Sequence, residues 1–325
     1  MISTAVAYDS AIECLRECPL CGNTSSTKLP VPGNWIGQEV FGDLQGKIGL
    51  VECRGCGLVF TNPRPSGEKL FEFYSGNTYS CHSASGSASA GVNADFILKR
   101  VGEYLPQNAP RTLLDYGAGG GGFLKCAQAR GWQVRGFEPG KQGLISCRQA
   151  GLDVTDQLHE LPSGAFGLVT LHHVFEHLHN PVEVLDGIRT LLAPQGRLFI
   201  EVPNGRSLRA RLAFPFLSRC CSADERYRAY PIHLMYYSER TLRNMLEKAQ
   251  WKVEKTFTIG LGLDEFFTEC ETSAPSTTPN QANRPGNAQQ IATEPKRRWR
   301  HALRDAFLGC GFGENVAAIA YPSQA

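Results

Sequence analysis

From Asn93 to Tyr321 short apolar runs alternate with helix-patterned stretches, and this alternation constrains the fold more than any other feature of the chain. The runs "RTLLDYG", "WQVRGFEPG", "GLDVTD", "FGLVTLHH", "GRLFIEVPN", "WKVEKTFTIG" and "ENVAAIAY" read as strands. Strands separated by helices lie parallel, because a parallel pair needs a crossover long enough to hold one. Helix boundaries support the pattern: Asn93 suits the cap of "NADFILKRVGEYL", Asn180 and Pro181 open a helix that "APQG" ends, and Ser238 caps "SERTLRNMLEKAQ". The expected fold class is therefore α/β, a parallel sheet with helices on both faces.

The first of these strands runs into "LLDYGAGGGGFL", Leu113 to Leu124. Gly117, Gly119 and Gly122 fit the spacing of a dinucleotide-binding turn, whereas Gly117, Gly119 and Gly121 fit the turn of methyltransferases. Both use the same physics: a backbone without Cβ atoms passes close under a ligand at a helix N-terminus. Both also expect an acid ending the second strand to take ribose hydroxyls, and Glu138 stands there. Asp115 discriminates. Its carboxylate would repel a pyrophosphate, but it suits S-adenosylmethionine (SAM), which carries an ammonium and a sulfonium and no phosphate. The bland alternative is a purely structural strand-to-helix turn.

With "LHHVFEHLHNP", "IEVPN" and "HLMYYSERTLRNMLEKA", the chain from about Asn93 to Tyr321 resembles the class I SAM-dependent methyltransferases, in the bacterial branch that modifies small molecules and glycans. The front end, "CPLCG" through "CGLVFTNPRPSGEKL", is similar to the cysteine-paired module that precedes the catalytic domain in that branch. The resemblance implies a Rossmann-like seven-stranded sheet of order 3-2-1-4-5-7-6, with SAM across the carboxyl ends of its first strands. It places Asp115, Gly117, Ala118 and Gly119 at the methionine part of the cofactor and Glu138 at the ribose. Asp156 and Gln157 would lie by the adenine, and His172 would close the pocket. One departure stands out: the family usually has aspartate after the phenylalanine that opens the fourth strand, and this chain has Gly167 after Phe166.

Methyl transfer from a sulfonium is an in-line displacement, so positioning supplies much of its acceleration and a base is needed only if the acceptor must lose a proton. Candidates at the ligand edge are His172, His173, Glu176 and His177, of which His173 is expected to contact the acceptor; these side chains could instead simply fix the loop. His233 is the second candidate catalytic residue, in an aromatic segment, "YRAYPIHLMYY", that suits a ring-shaped or sugar acceptor or merely packs in the core. The insertion from about Leu261 to Gly313 would lie above the ligand as a lid or partner-binding arm, and its stretch 271–295 is expected to be disordered. The basic run Lys296, Arg297, Arg298 and Arg300 could meet a phosphate of a nucleotide-linked acceptor or be a solvated helix face.

Cys18 and Cys21, then Cys53 and Cys56, form two C-x-x-C knuckles, each followed by glycine. Paired thiolates at this spacing hold tetrahedral Zn²⁺, and four of them leave no open position, so the ion would be structural. A module over 14–65 is too small to bury much apolar surface, and a structural ion can contribute on the order of 10 kcal/mol to folding. Residues 66–92 read as a short helix and a flexible linker, with the catalytic domain over 93–325. Cys14 is a rival ligand.

Lys and Arg total 33 against 31 Asp and Glu, so no large field favours nucleic acid or an anionic surface as partner. The N-terminus lacks the basic end and apolar stretch of a signal peptide, and no run reaches the roughly 18 apolar residues of a membrane span. A cytoplasmic setting and a small-molecule acceptor, sugar-like or nucleotide-linked, are expected. Two rivals remain, an NAD(P)-dependent oxidoreductase and a degenerate cofactor-binding scaffold whose zinc module makes protein contacts.

Overall fold

A computed structural model describes residues 5–31, 35–76, 87–207, 229–260, 310–311 and 313–323. The N-terminal part contains β1 (Ala5–Asp9), β2 (Ile12–Leu15), β3 (Ser26–Leu29), α1 (Gln38–Phe41), β4 (Leu50–Cys53), β5 (Val59–Thr61), β6 (Arg64–Pro65) and α2 (Gly67–Ser75). It begins earlier than Cys14: β1 and β2 form a hairpin that β6 completes into a three-stranded sheet. Then follow α3 (Ser87–Gly102), β7 (Thr112–Tyr116), α4 (Gly122–Ala129), β8 (Gln133–Phe137), α5 (Lys141–Gln149), β9 (Val154–Thr155), β10 (Phe166–His172), α6 (Pro181–Leu191) and β11 (Leu192–Pro203). The described chain ends with β12 (Met235–Tyr236), α7 (Glu239–Lys248), β13 (Trp251–Ile259) and β14 (Asn315–Pro322).

The large sheet has the order β13-β14-β11-β10-β7-β8-β9. Counted from β7 as its first strand, this is the expected 3-2-1-4-5-7-6 arrangement. The strands β7 to β11 pair in parallel, and β14 inserts antiparallel between β11 and β13. Adjacent residues send their side chains to opposite faces, so Leu113, Leu168 and Phe199 join one apolar cluster while Leu114, Val169 and Ile200 join the other. Ser238 caps α7 as read, with a reciprocal capping box to Thr241.

Three differences from the sequence reading have physical reasons. Helix α3 starts at Ser87, ahead of the Asn93 cap, because the alanines of "SASAGVNA" carry the helix back into the stretch taken as linker. The N-terminal part is not a separate bead: Phe41, Leu44 and Phe60 belong to the same cluster as Leu185, Ile200 and Met245. And β12, from the segment after the fifth strand of the large sheet, adds an antiparallel strand to the cysteine-bearing sheet, with Met235 opposite Phe60 and Tyr236 opposite Val59. Gly167 is the second residue of β10, at its amino end, where a Cβ would fall 1.8 Å from the Pro110 carbonyl oxygen. An aspartate cannot stand there without moving the backbone, so the departure is a packing solution far from the carboxyl edge. The insertion 271–295, the basic run Lys296 to Arg300, and Cys220 and Cys221 lie outside the described residues.

Candidate active site and cysteine cluster

A cavity of about 970 Å³ opens at the carboxyl ends of the parallel strands, within the size range of small-molecule sites. Its floor is the turn after β7. Gly117 has φ +85°, and a Cβ there would lie 2.4 Å from Val174, so only glycine permits the turn to pack against the segment after β10. Glu138, just past β8, reaches back to this turn: its two carboxylate oxygens accept hydrogen bonds from the Gly119 amide at 2.6 Å and the Gly140 amide at 2.7 Å. Burial raises the Glu138 carboxyl, the two amides lower it, and the nearby Asp115 charge adds to the rise; the net direction is upward.

Asp115 lines the same cavity although it is only 2 % exposed. One oxygen accepts a hydrogen bond from the Thr170 hydroxyl at 2.8 Å. Burial raises its carboxyl above the ordinary aspartate range, against the opposing pull of His172 and the Thr170 bond. A buried carboxyl raised in this way awaits a cation or a proton. His172 stands opposite, its Nδ1 3.2 Å from Glu201 and its ring centroid 4.3 Å from that of Phe123. Glu201 also accepts from Asn315 at 2.8 Å, so β10, β11 and β14 are tied at one rim of the cavity.

The structure therefore brings Asp115, Gly117, Ala118, Gly119, Glu138 and His172 to one cavity. Asp156 and Gln157 are exposed beyond β9 and do not line it. The two accepting carboxylates and the glycine cradle fit a ligand that donates from an ammonium and a diol.

At the other end of the cavity three imidazoles converge on one carboxylate. Glu176 is 1 % exposed, in the short turn after β10. His173 lies 3.6 Å from its Oε1, His233 3.8 Å and His177 3.9 Å. Burial raises Glu176, but the His173 contact and the imidazoles around it prevail and lower it to about 2. His173 departs from ordinary backbone, with φ 53°, which turns its half-exposed side chain toward the cavity mouth. Burial lowers its imidazole, yet Glu176 and the Glu201 charge outweigh that effect and raise it to about 9. His233 is buried, does not line the cavity, and is lowered to about 3 by burial and by His177.

Sequence reasoning missed the contributions from distant elements. Tyr74 on α2 lines the cavity and places its hydroxyl 2.8 Å from His177 Nδ1, so the N-terminal part helps build the acceptor end. Thr170 and Glu201 were equally hidden. Their only signal was a polar residue on the inward face of an otherwise apolar strand.

The four cysteines Cys18, Cys21, Cys53 and Cys56 gather in one cluster, their sulfurs all within 4.8 Å of one another. Two cross-pairs, Cys18 with Cys56 and Cys21 with Cys53, stand 3.5 Å apart. In tetrahedral zinc, bonds of about 2.3 Å put sulfurs about 3.8 Å apart, close to this spacing. The two knuckles repeat one design: the amide of Gly22 donates to the Cys18 carbonyl and that of Gly57 to the Cys53 carbonyl, each at 2.9 Å. Cys14, on β2, stands outside the cluster.

The methyltransferase-domain family matches residues 90–256, about half of the chain. The chain belongs to this family. Among curated proteins, the C-methyltransferase NovU of Streptomyces niveus is 25% identical over 205 residues, 58% of this chain and 47% of that protein. The ubiquinone biosynthesis O-methyltransferase of Aeromonas salmonicida (strain A449) is 32% identical over 123 residues, 35% of this chain and 50% of that one. The chain thus spans about half the length of these curated relatives. A solved SAM-dependent methyltransferase of Archaeoglobus fulgidus covers 71% of this chain and 93% of its own, at 21% identity and a TM-score of 0.45. In this methyltransferase domain no described helix is long and apolar enough to cross a membrane.

Proposed function

We propose that the chain transfers a methyl group from SAM to an O, C or N atom of a small molecule, a sugar or natural-product intermediate. The observation that carries the reading is the pair of acids at one turn: Glu138 holds the Gly119 amide of the glycine turn and the Gly140 amide beside it, while Asp115, buried, faces the same cavity. Asp115 would hold the ammonium and Glu138 the ribose hydroxyls, exchanging its amide bonds for them. The bound cofactor supplies an activated methyl group. The chain's own residues orient it against the acceptor and exclude water. Asp156 and Gln157 would reach the adenine only by closing over it.

His173, raised to about 9, is charged at neutral pH. We therefore place it as a hydrogen-bond donor to an acceptor oxygen and not as a base. His233 would act through Glu176 and the wall around it, since it does not reach the cavity. The imidazoles and Tyr74 suit a ring-shaped, oxygen-rich acceptor, and the relatives' names include both a C- and an O-methyltransferase. The cysteine cluster would hold structural Zn²⁺, because four thiolates close the coordination sphere.

Calorimetric titration with SAM, its demethylated product and NAD tests the cofactor, with binding expected for the first two. Binding of NAD in their place would overturn the reading. A screen with isotope-labelled SAM against nucleotide-linked sugars and phenols then tests the acceptor class. Protein purified without chelator should contain zinc, and metal analysis finding none would remove it.

A further inference from the structure

Glu176, His177 and His233 have a geometry that methyl transfer by positioning alone does not use. Their ligand atoms lie within 4.8 Å of one another. Glu176 is 1 % exposed, yet neither carboxylate oxygen receives a hydrogen bond among the described residues, and its imidazole contacts at 3.6 to 3.9 Å are too long to be hydrogen bonds. His233, also buried, leaves Nδ1 without a partner. Among the described residues, half-exposed His173 is the one positive charge near this carboxylate and stands too far to hydrogen-bond it, so both buried oxygens stay unpaired, a costly state that a cation among the ligand atoms would relieve.

The orientation of His177 supplies an independent indication. Its Nδ1 lies 2.9 Å from the Ile232 carbonyl, which can only accept, and 2.8 Å from the Tyr74 hydroxyl, which can accept as well as donate, so the carbonyl favours the proton on Nδ1. Nε2 is then a lone pair turned toward Glu176. A backbone carbonyl that fixes the far nitrogen is the usual support of a metal-bound histidine. The loop is pinned as well, because the Leu234 amide donates to the Glu176 carbonyl at 2.9 Å and holds His233 over the turn.

We propose that Glu176, His177 and His233 form a divalent-cation site separate from the cysteine cluster, opening on the acceptor end of the cavity. Nitrogen–metal bonds of about 2.0 to 2.1 Å imply ligand separations near 3.4 Å, so each imidazole needs to approach Glu176 by only a few tenths of an ångström from 3.8 and 3.9 Å, and the two imidazoles, within 4.8 Å of each other, draw together around the ion. Two imidazoles and one carboxylate suit Zn²⁺, Fe²⁺, Mn²⁺ or Co²⁺ better than Ca²⁺. Three protein ligands leave a position open, and His177 is the ligand that lines the cavity, with half-exposed His173 beside it. The open position would take an acceptor oxygen, a role that rests on the methyl-transfer reading; binding of the ion does not.

The test is a cobalt(II) titration of the zinc-containing chain, followed by gel filtration and metal analysis. Two divalent ions per chain are expected after saturation, and the second should show ligand-field bands without thiolate charge transfer. Glu176→Gln, nearly isosteric, and His177→Ala should each weaken the second ion on the order of a hundredfold and leave the thiolate-bound one in place. A wild-type chain that takes up no ion outside the cysteine cluster overturns the proposal, as does a second ion that survives either substitution. Neither readout uses methyl transfer, so failure of the site and failure of the proposed reaction are distinguishable.

Discussion

At the scale of single residues, Asp115 and Gly167 show how environment decides the meaning of a side chain. The Asp115 carboxyl is raised by burial, so in the free protein it keeps its proton to a higher pH than an ordinary aspartate. A cationic ligand selects the ionised form. SAM affinity should therefore rise as pH climbs through that raised range, and binding there should release a proton. Calorimetry in two buffers of different ionisation heat, at mildly acidic pH, should show the release; identical heats would mean that the group is ionised before binding. Asp115→Asn should weaken SAM by about 1.5 to 3 kcal/mol, the usual range for a hydrogen bond to a charged group. Gly167 is the converse case, a residue whose absent side chain matters. Gly167→Asp, which restores the family's usual residue, should lower stability by about 1 to 3 kcal/mol through the clash with Pro110, read by denaturant unfolding.

At the scale of elements, the short connections carry more than the helices. β6 offers Arg64, which is buried, pairs with Glu13 at 3.0 Å on β2 and donates to the His179 carbonyl at 3.3 Å. One guanidinium thus ties the N-terminal hairpin to the loop that carries the acceptor-side histidines. Arg64→Ala should cost about 1.5 to 3 kcal/mol and should also raise KM for the acceptor, because His179 lines the cavity. A stability loss with unchanged KM would confine Arg64 to the scaffold. The capping box of α7 is a purely local device by comparison. Ser238→Ala should cost about 1 kcal/mol without altering cofactor affinity, measured by unfolding and titration on the same sample.

At the scale of the whole molecule, the cysteine-bearing sheet and the large sheet share one apolar cluster and the strand β12. Chelation of the proposed zinc should therefore not release an independent module; it should lower the thermal midpoint of the entire chain in a single transition. Two separate transitions would show that the shared core is not cooperative. The strands of the large sheet, the glycine turn and the acids Asp115 and Glu138 were legible in the sequence, since periodicity and spacing are local properties that survive without a fold. The two C-x-x-C knuckles were legible for the same reason. What only the tertiary structure decided was which distant side chains meet: Tyr74 with His177, Glu201 with His172, and Glu176 with three imidazoles. Those encounters depend on crossovers and on the return of β12 to the N-terminal sheet, and chain closure over such distances leaves no periodic trace in the amino-acid order.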